Sequence, residues 1–151
     1  MKIYLDVCCL NRPFDIQYDD RIRIEAEAIL SILLQCQQGN WQLISSDITS
    51  IEISKIQNIN KKQKVLILES LAAERVNLNK DIEQRSKILF DFGIDLFDSL
   101  HIASAEKAKA NVMLTTDDKL INKAKKIKDI QIRVENPVIW LMEVLNYEND
   151  N

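Results

Sequence analysis

Short apolar runs of strand length alternate with segments of helical period along the chain, and this alternation most restricts the fold. Residues 2–6, 41–45, 111–115 and 130–134 read as strands, and residues 74–79 as a further short strand or extended turn. Helical patterns fill the intervals over residues 20–38, 48–57, 65–71, 81–92, 95–109 and 119–126, with a last short helix over 138–145. Strands joined through helices are placed for parallel pairing, with the helices covering the sheet. The expectation is an α/β protein with a central parallel sheet of four to five strands and helices on both faces.

Local chemistry punctuates these elements. Asp19 and Asp20 offer N-cap oxygens ahead of the first long helix, and Gly39 offers its stop. In that helix Ile22, Ala26, Ile29, Leu30, Leu33 and Leu34 fall at core spacing, as do Ile82, Ser86, Leu89 and Phe90 in the helix over 81–92. Gly93 suits a C-cap. Pro13 drives Arg12 out of helical geometry, so residues 11–14 read as a loop. The polar, basic stretch 58–64 reads as a helix–helix connection. Residues 1–146 are expected to form one domain, with residues 147–151 a polar, frayed tail.

With 2 Gly and 2 Pro in 151 residues, loops should be short. No apolar run approaches the ~20 residues that span a bilayer, and no signal-like N-terminus is visible, which points to a cytoplasmic protein with no membrane partner. Cys8, Cys9 and Cys36 lack CxxC spacing, which suits reduced thiols and leaves no zinc framework. The net charge of −3 argues against a uniformly basic nucleic-acid binder, but not against an enzyme whose acids are gathered in one pocket.

Four acids fit such a pocket. In a parallel sheet every strand ends at the same edge, so Asp6 and Asp117, each following an apolar strand, project there together. Glu52 lies inside the helix after the second strand, among isoleucines. Asp98 lies in the first turn of the helix over 95–109. Taken singly, each has an ordinary explanation: Asp6 as a turn cap, Glu52 as a solvated helix residue, and Asp117 or Asp118 as the cap of the next helix. Taken together they would repel one another unless a cation were present. An all-carboxylate set suits Mg2+ or Mn2+ better than zinc. Asp95 reads as the N-cap of its helix, and His101, the single histidine, as a packing residue.

At Ile3-Tyr-Leu-Asp6-Val-Cys-Cys-Leu-Asn-Arg-Pro, Ile51-Glu52, Asp98-Ser-Leu-His-Ile-Ala-Ser-Ala and Leu114-Thr-Thr-Asp117-Asp-Lys-Leu the chain resembles a PIN domain of the short VapC-like kind. The resemblance runs from residue 1 to about 126. It implies a three-layer α/β/α fold and a metal-dependent endoribonuclease acting on single-stranded RNA, the toxin of a type II toxin–antitoxin pair. It further implies the quartet Asp6, Glu52, Asp98 and Asp117 as catalytic and metal-binding residues around Mg2+ (or Mn2+), a small antitoxin protein as partner, and a homodimer. Arg12, Arg21, Arg23 and Lys119 are candidates for RNA phosphate contacts. One departure is Val7, where a hydroxyl residue commonly follows the first acid; Asn11 is a substitute polar group. The alternative is a non-catalytic PIN-fold module that binds protein or RNA. A phosphoacceptor receiver is disfavoured because no lysine follows the last strand. A haloacid-dehalogenase phosphatase is disfavoured because Asp6-Val-Cys8 lacks the second Asp.

Overall fold

The computed structural model describes residues 1–150. In chain order it comprises β1 (Lys2–Leu5), α1 (Val7–Asn11), a 3-10 turn (Arg12–Phe14), α2 (Asp20–Gln37), β2 (Gln42–Ser46), α3 (Asp47–Ser54) and α4 (Ile59–Glu69). There follow β3 (Glu74–Val76), α5 (Lys80–Asp91), α6 (Leu96–Lys107), β4 (Val112–Leu114), α7 (Asp118–Lys126), β5 (Arg133–Glu135) and α8 (Pro137–Asp150). All strand pairings are parallel, and the strand order is β3-β2-β1-β4-β5. The expected α/β class and parallel sheet are therefore observed, with five strands.

The two-residue period of β1 divides the core. Ile3 and Leu5 face a cluster with Leu43, Val112, Leu114 and residues of α1, α2 and α8, which includes an edge-on contact of Trp41 with Trp140. Tyr4 faces the opposite cluster with Ile44, Met113, Val134 and residues of α5, α6 and α7. This single alternation places Tyr4 on the α6 side of the sheet, which matters for the site.

Side-chain caps set most helix starts. Asp19 accepts from the N–H groups of Arg21 and Ile22, Ser46 from Thr49, Asn58 from Lys61, and Asn79 from Ile82. The Asn58 cap explains why residues 59–64, expected as a connection, are the first turns of α4. Gly39 and Gly93 follow α2 and α5 with φ of +82° and +101°, a region that favours glycine.

Other boundaries shift for local reasons. Residues 7–14 form a helical turn and a 3-10 turn rather than an open loop, because Asp6 caps α1 and Pro13 sits at the start of the 3-10 segment. β5 begins at Arg133, because Ile130 is held in a turn by its N–H bond to the Ile127 carbonyl. Asp95 does head α6, but its side chain makes no capping bond. Leu30, Leu34 and Phe90 are exposed, not inward. α8 continues to Asp150, so residues 147–150 extend that helix; residue 151 lies outside the described residues.

Because the order 3-2-1-4-5 adds strands first to one side of β1 and then to the other, the crevice beyond the carboxyl ends of β1 and β4 is the switch point of the sheet. The Asp6 N–H bond to the Leu114 carbonyl, 3.0 Å, ties the two strand ends together there. Ile3, fully buried at the centre of the sheet, should be intolerant of truncation. Ile3→Ala is expected to lower unfolding free energy by about 2–5 kcal/mol, read as a drop in the chemical-denaturation midpoint.

Candidate metal centre

Asp6 leaves β1 and turns at once into α1, so its carboxylate is fixed at the sheet edge. Its Oδ1 accepts the Val7 N–H at 2.7 Å, and its Oδ2 accepts the Thr115 hydroxyl at 2.9 Å and the Cys8 thiol at 3.4 Å. The hydroxyl missing at Val7 is thus supplied from the end of β4, across the switch point. Asn11 does not take that role: its side-chain oxygen is buried without a hydrogen-bond partner.

Glu52, in the second turn of α3, reaches the same crevice and is bonded to His101 Nε2. His101 is completely buried on α6, its Nδ1 2.6 Å from the Tyr4 hydroxyl and its Nε2 3.7 Å from Asp6 Oδ1. One ligand-capable atom from each of Asp6, Glu52 and His101 lies within 4.8 Å of the others. His101, expected as packing, is therefore a polar member of the site. The signal available in the sequence was its spacing: three residues after Asp98 on a helix, it lies nearly above that acid. Burial opposes charge on the ring, but the Tyr4 oxygen and the Glu52 and Asp6 carboxylates outweigh it, holding the His101 pKa well above its ordinary value.

Asp98 differs from its neighbours. It is partly buried in the first turn of α6, and among the described residues its carboxylate accepts no hydrogen bond and has no salt-bridge partner. Burial, then the charge of Asp6, raises its pKa from 3.8 to about 7; His101 offsets part of this, while Asp117 and Asp95 add to it. Asp117 is exposed and caps α7, accepting from the N–H groups of Lys119 and Leu120. Asp118 lies outside this group, paired with Arg21 at 2.7 Å. The structure thus brings Asp6 and Glu52 into one cluster with His101, and sets Asp98 where it feels both Asp6 and Asp117.

The arginines are committed elsewhere. Glu25, buried on α2, takes Arg12 at 3.0 Å, Arg21 at 3.2 Å and the Asn136 amide at 2.7 Å. Arg12 also pairs with Asp15, Arg21 with Asp118, and Arg23 with Asp20. These three cations, expected at an RNA backbone, are neutralised within the chain. The Lys119 side chain is exposed and has no ion-pair partner among the described residues. Two of the thiols are unactivated: burial pushes Cys9 well up and Cys36 to about 11, as in neutral, unreactive cysteines.

The Asp98 shift has a sign that can be checked. Below about pH 4 the carboxyl is protonated whether folded or not, and contributes nothing. Between about 4 and 7 the unfolded chain loses this proton while the folded chain keeps it, so stability falls as pH rises, and above about 7 the loss is complete. Asp98→Asn removes the effect. In metal-free buffer the variant should melt above the wild type at about pH 8, with the two converging at about pH 3.

No family model and no curated protein matches the sequence. Solved structures do match in shape. The VapBC2 structure from Rickettsia felis, bound to a DNA fragment from its promoter, aligns at TM-score 0.60 and 18% identity, covering 90% of this chain and 98% of that one. VapBC-1 from nontypeable Haemophilus influenzae aligns at TM-score 0.61 and 18% identity, covering 91% and 98%. PAE2754 from Pyrobaculum aerophilum aligns at TM-score 0.56 and 12% identity, covering 97% and 90%. The architecture that this chain shares with them, over nearly its whole length, is the PIN-domain fold.

Proposed function

We propose that the chain is a divalent-cation-dependent endoribonuclease that hydrolyses phosphodiester bonds of single-stranded RNA. The observation that carries the reading is Asp98: a partly buried carboxylate without a partner, its pKa raised to about 7, facing the charges of Asp6 and Asp117 at the switch point of a PIN-type sheet. That is an electrostatic deficit a cation would relieve, so these residues fit Mg2+ or Mn2+. Asp6, Asp98 and Asp117 would hold it, with Glu52 ligating it or orienting water. When bound, such a cation polarises a phosphoryl oxygen and activates water.

The chain's own groups prepare that chemistry. The Thr115 hydroxyl and the Val7 N–H fix the Asp6 carboxylate in one orientation. Glu52 retains partial exposure, 27% of its side chain, so one face is open to a water whose proton it can accept.

RNA contact is assigned here to a different cation from the paired arginines. Lys55 follows α3 one turn after Glu52, is exposed, and sits 4.4 Å from the centroid of the Phe97 ring, next to Asp98. An ammonium on an aromatic face at the rim suits a phosphate and an unstacked base. Lys119 remains a second candidate.

The VapBC neighbours support a cytoplasmic toxin with a small antitoxin protein as partner, and a homodimer. Two apolar faces support partners of that kind: Phe90, Phe92 and Leu96 around the α5–α6 junction, and Leu34, Met142 and Leu145 on α2 and α8. No helix among the described residues is long and apolar enough to cross a membrane.

Two measurements test the reading. Purified protein should cleave single-stranded RNA with Mg2+ or Mn2+, and both chelator and Asp98→Asn should reduce cleavage to background while the circular-dichroism spectrum is kept. Equal cleavage in all three conditions would sink the assignment. Separately, Lys55→Ala placed in the Asp98→Asn background should weaken RNA binding and make its log–log salt dependence shallower by about 0.7, the slope change for one phosphate contact on a single strand.

A further inference from the structure

His101 is close to two carboxylates and has two ways to serve the site: as a ligand through Nε2, or as a donor that orients Glu52. We infer that His101 is a positioning residue, its Nε2–H holding the Glu52 carboxylate, and that it stays outside the coordination shell of any cation bound by the acids.

The argument is an account of donors and acceptors around one ring. Nε2 faces Glu52 Oε1 directly and Asp6 Oδ1 at 3.7 Å. Ionised carboxylates only accept hydrogen bonds, so a bare lone pair on Nε2 would face oxygen lone pairs. The contact between Nε2 and Glu52 Oε1 is therefore a hydrogen bond only with the proton on the ring nitrogen. A metal ligand nitrogen must be unprotonated. Recruiting Nε2 to a cation would therefore require loss of that proton and of the Glu52 bond together.

The other side of the ring supports this state. Nδ1 lies 2.6 Å from the Tyr4 hydroxyl, which is 2.6 Å from Ser46 Oγ and 3.4 Å from Thr49 Oγ1. Ser46 Oγ in turn accepts the Thr49 N–H that caps α3. With Nε2 protonated in a neutral ring, Tyr4 donates to Nδ1 and accepts from Ser46, so both ring nitrogens and the Tyr4 hydroxyl have partners. With a cationic ring, Nδ1 donates to Tyr4, which donates onward to Ser46 or Thr49. Either way Nε2 keeps its proton. This series of hydrogen bonds ends at the first turn of α3, the helix that carries Glu52, so Tyr4, Ser46 and His101 hold both the start of that helix and the Glu52 carboxylate.

This inference deepens the proposed nuclease site but does not need it. Because the chain has a single histidine, a long-range 15N–1H spectrum of histidine-labelled protein contains one imidazole. Without metal, Nε2 is expected at the shift of a protonated nitrogen; an unprotonated Nε2 overturns the inference. Saturating Mg2+, with binding confirmed by calorimetry, is expected to leave Nε2 protonated; a change to an unprotonated nitrogen shift on binding overturns it. Absence of Mg2+ binding would count against the cation site alone, and the metal-free spectrum would still decide the role of His101. In RNA cleavage, His101→Ala should lower kcat about 10- to 100-fold with KM unchanged, the range expected for an outer-shell partner. His101→Gln, whose amide can still donate to Glu52, should recover part of that loss. A change confined to KM, or no recovery by Gln, would also overturn the positioning role.

Discussion

Gathering carboxylates at one sheet edge costs free energy, and the architecture around the switch point can be understood as the means of containing that cost. Each acid is treated differently. Asp6 is given two close donors and a thiol. Glu52 is given a buried imidazole. Asp117 is placed at the N-terminus of α7, where backbone N–H groups and the helix dipole favour negative charge. Asp98 is given no partner, and its raised pKa is the residue of the cost that protein groups leave unmet.

The contrast with Glu25 shows that this deficit is local. Glu25 is more deeply buried than any of the four acids, yet two arginines and an asparagine amide surround it. Buried charges are tolerated when paired and hydrogen-bonded, and breaking such a set is expensive. The Glu25 cluster ties α2 to the segment after β5 and to the turn after α1, so it braces the flank of the crevice. At the switch point the same chain stops short of full pairing. Glu25 is ion-paired by two arginines, whereas Asp98 has no cationic partner among the described residues.

Much of the fold was legible because its signals are local. The alternation in residues 2–5, the isoleucines of α3 and the cap at Asp19 report nearest-neighbour chemistry, and the repeated change between the two periods gave the element order and the parallel class. Where the reading shifted, a single local bond had outweighed composition: the Asn58 cap drew a lysine-rich stretch into α4, and the Ile127–Ile130 turn delayed β5. Leu30, Leu34 and Phe90 have core-like spacing but lie about half exposed on their helices, which periodicity alone cannot distinguish from burial.

The site divides along the same line. That Asp6 and Asp117 share an edge follows from the sequence alone, because strands in a parallel sheet all end on one side. Which side chain meets which acid was decided only by tertiary structure. Thr115 reaches Asp6 across 109 positions, in place of the hydroxyl missing at Val7, and Tyr4 reaches His101 across 97. Arg12 and Arg21 turn to Glu25, leaving Lys55 at the rim. These pairings depend on strand order and on which face of the sheet each residue occupies. The residue pattern along one strand sets its faces; only the packed sheet sets what lies opposite them.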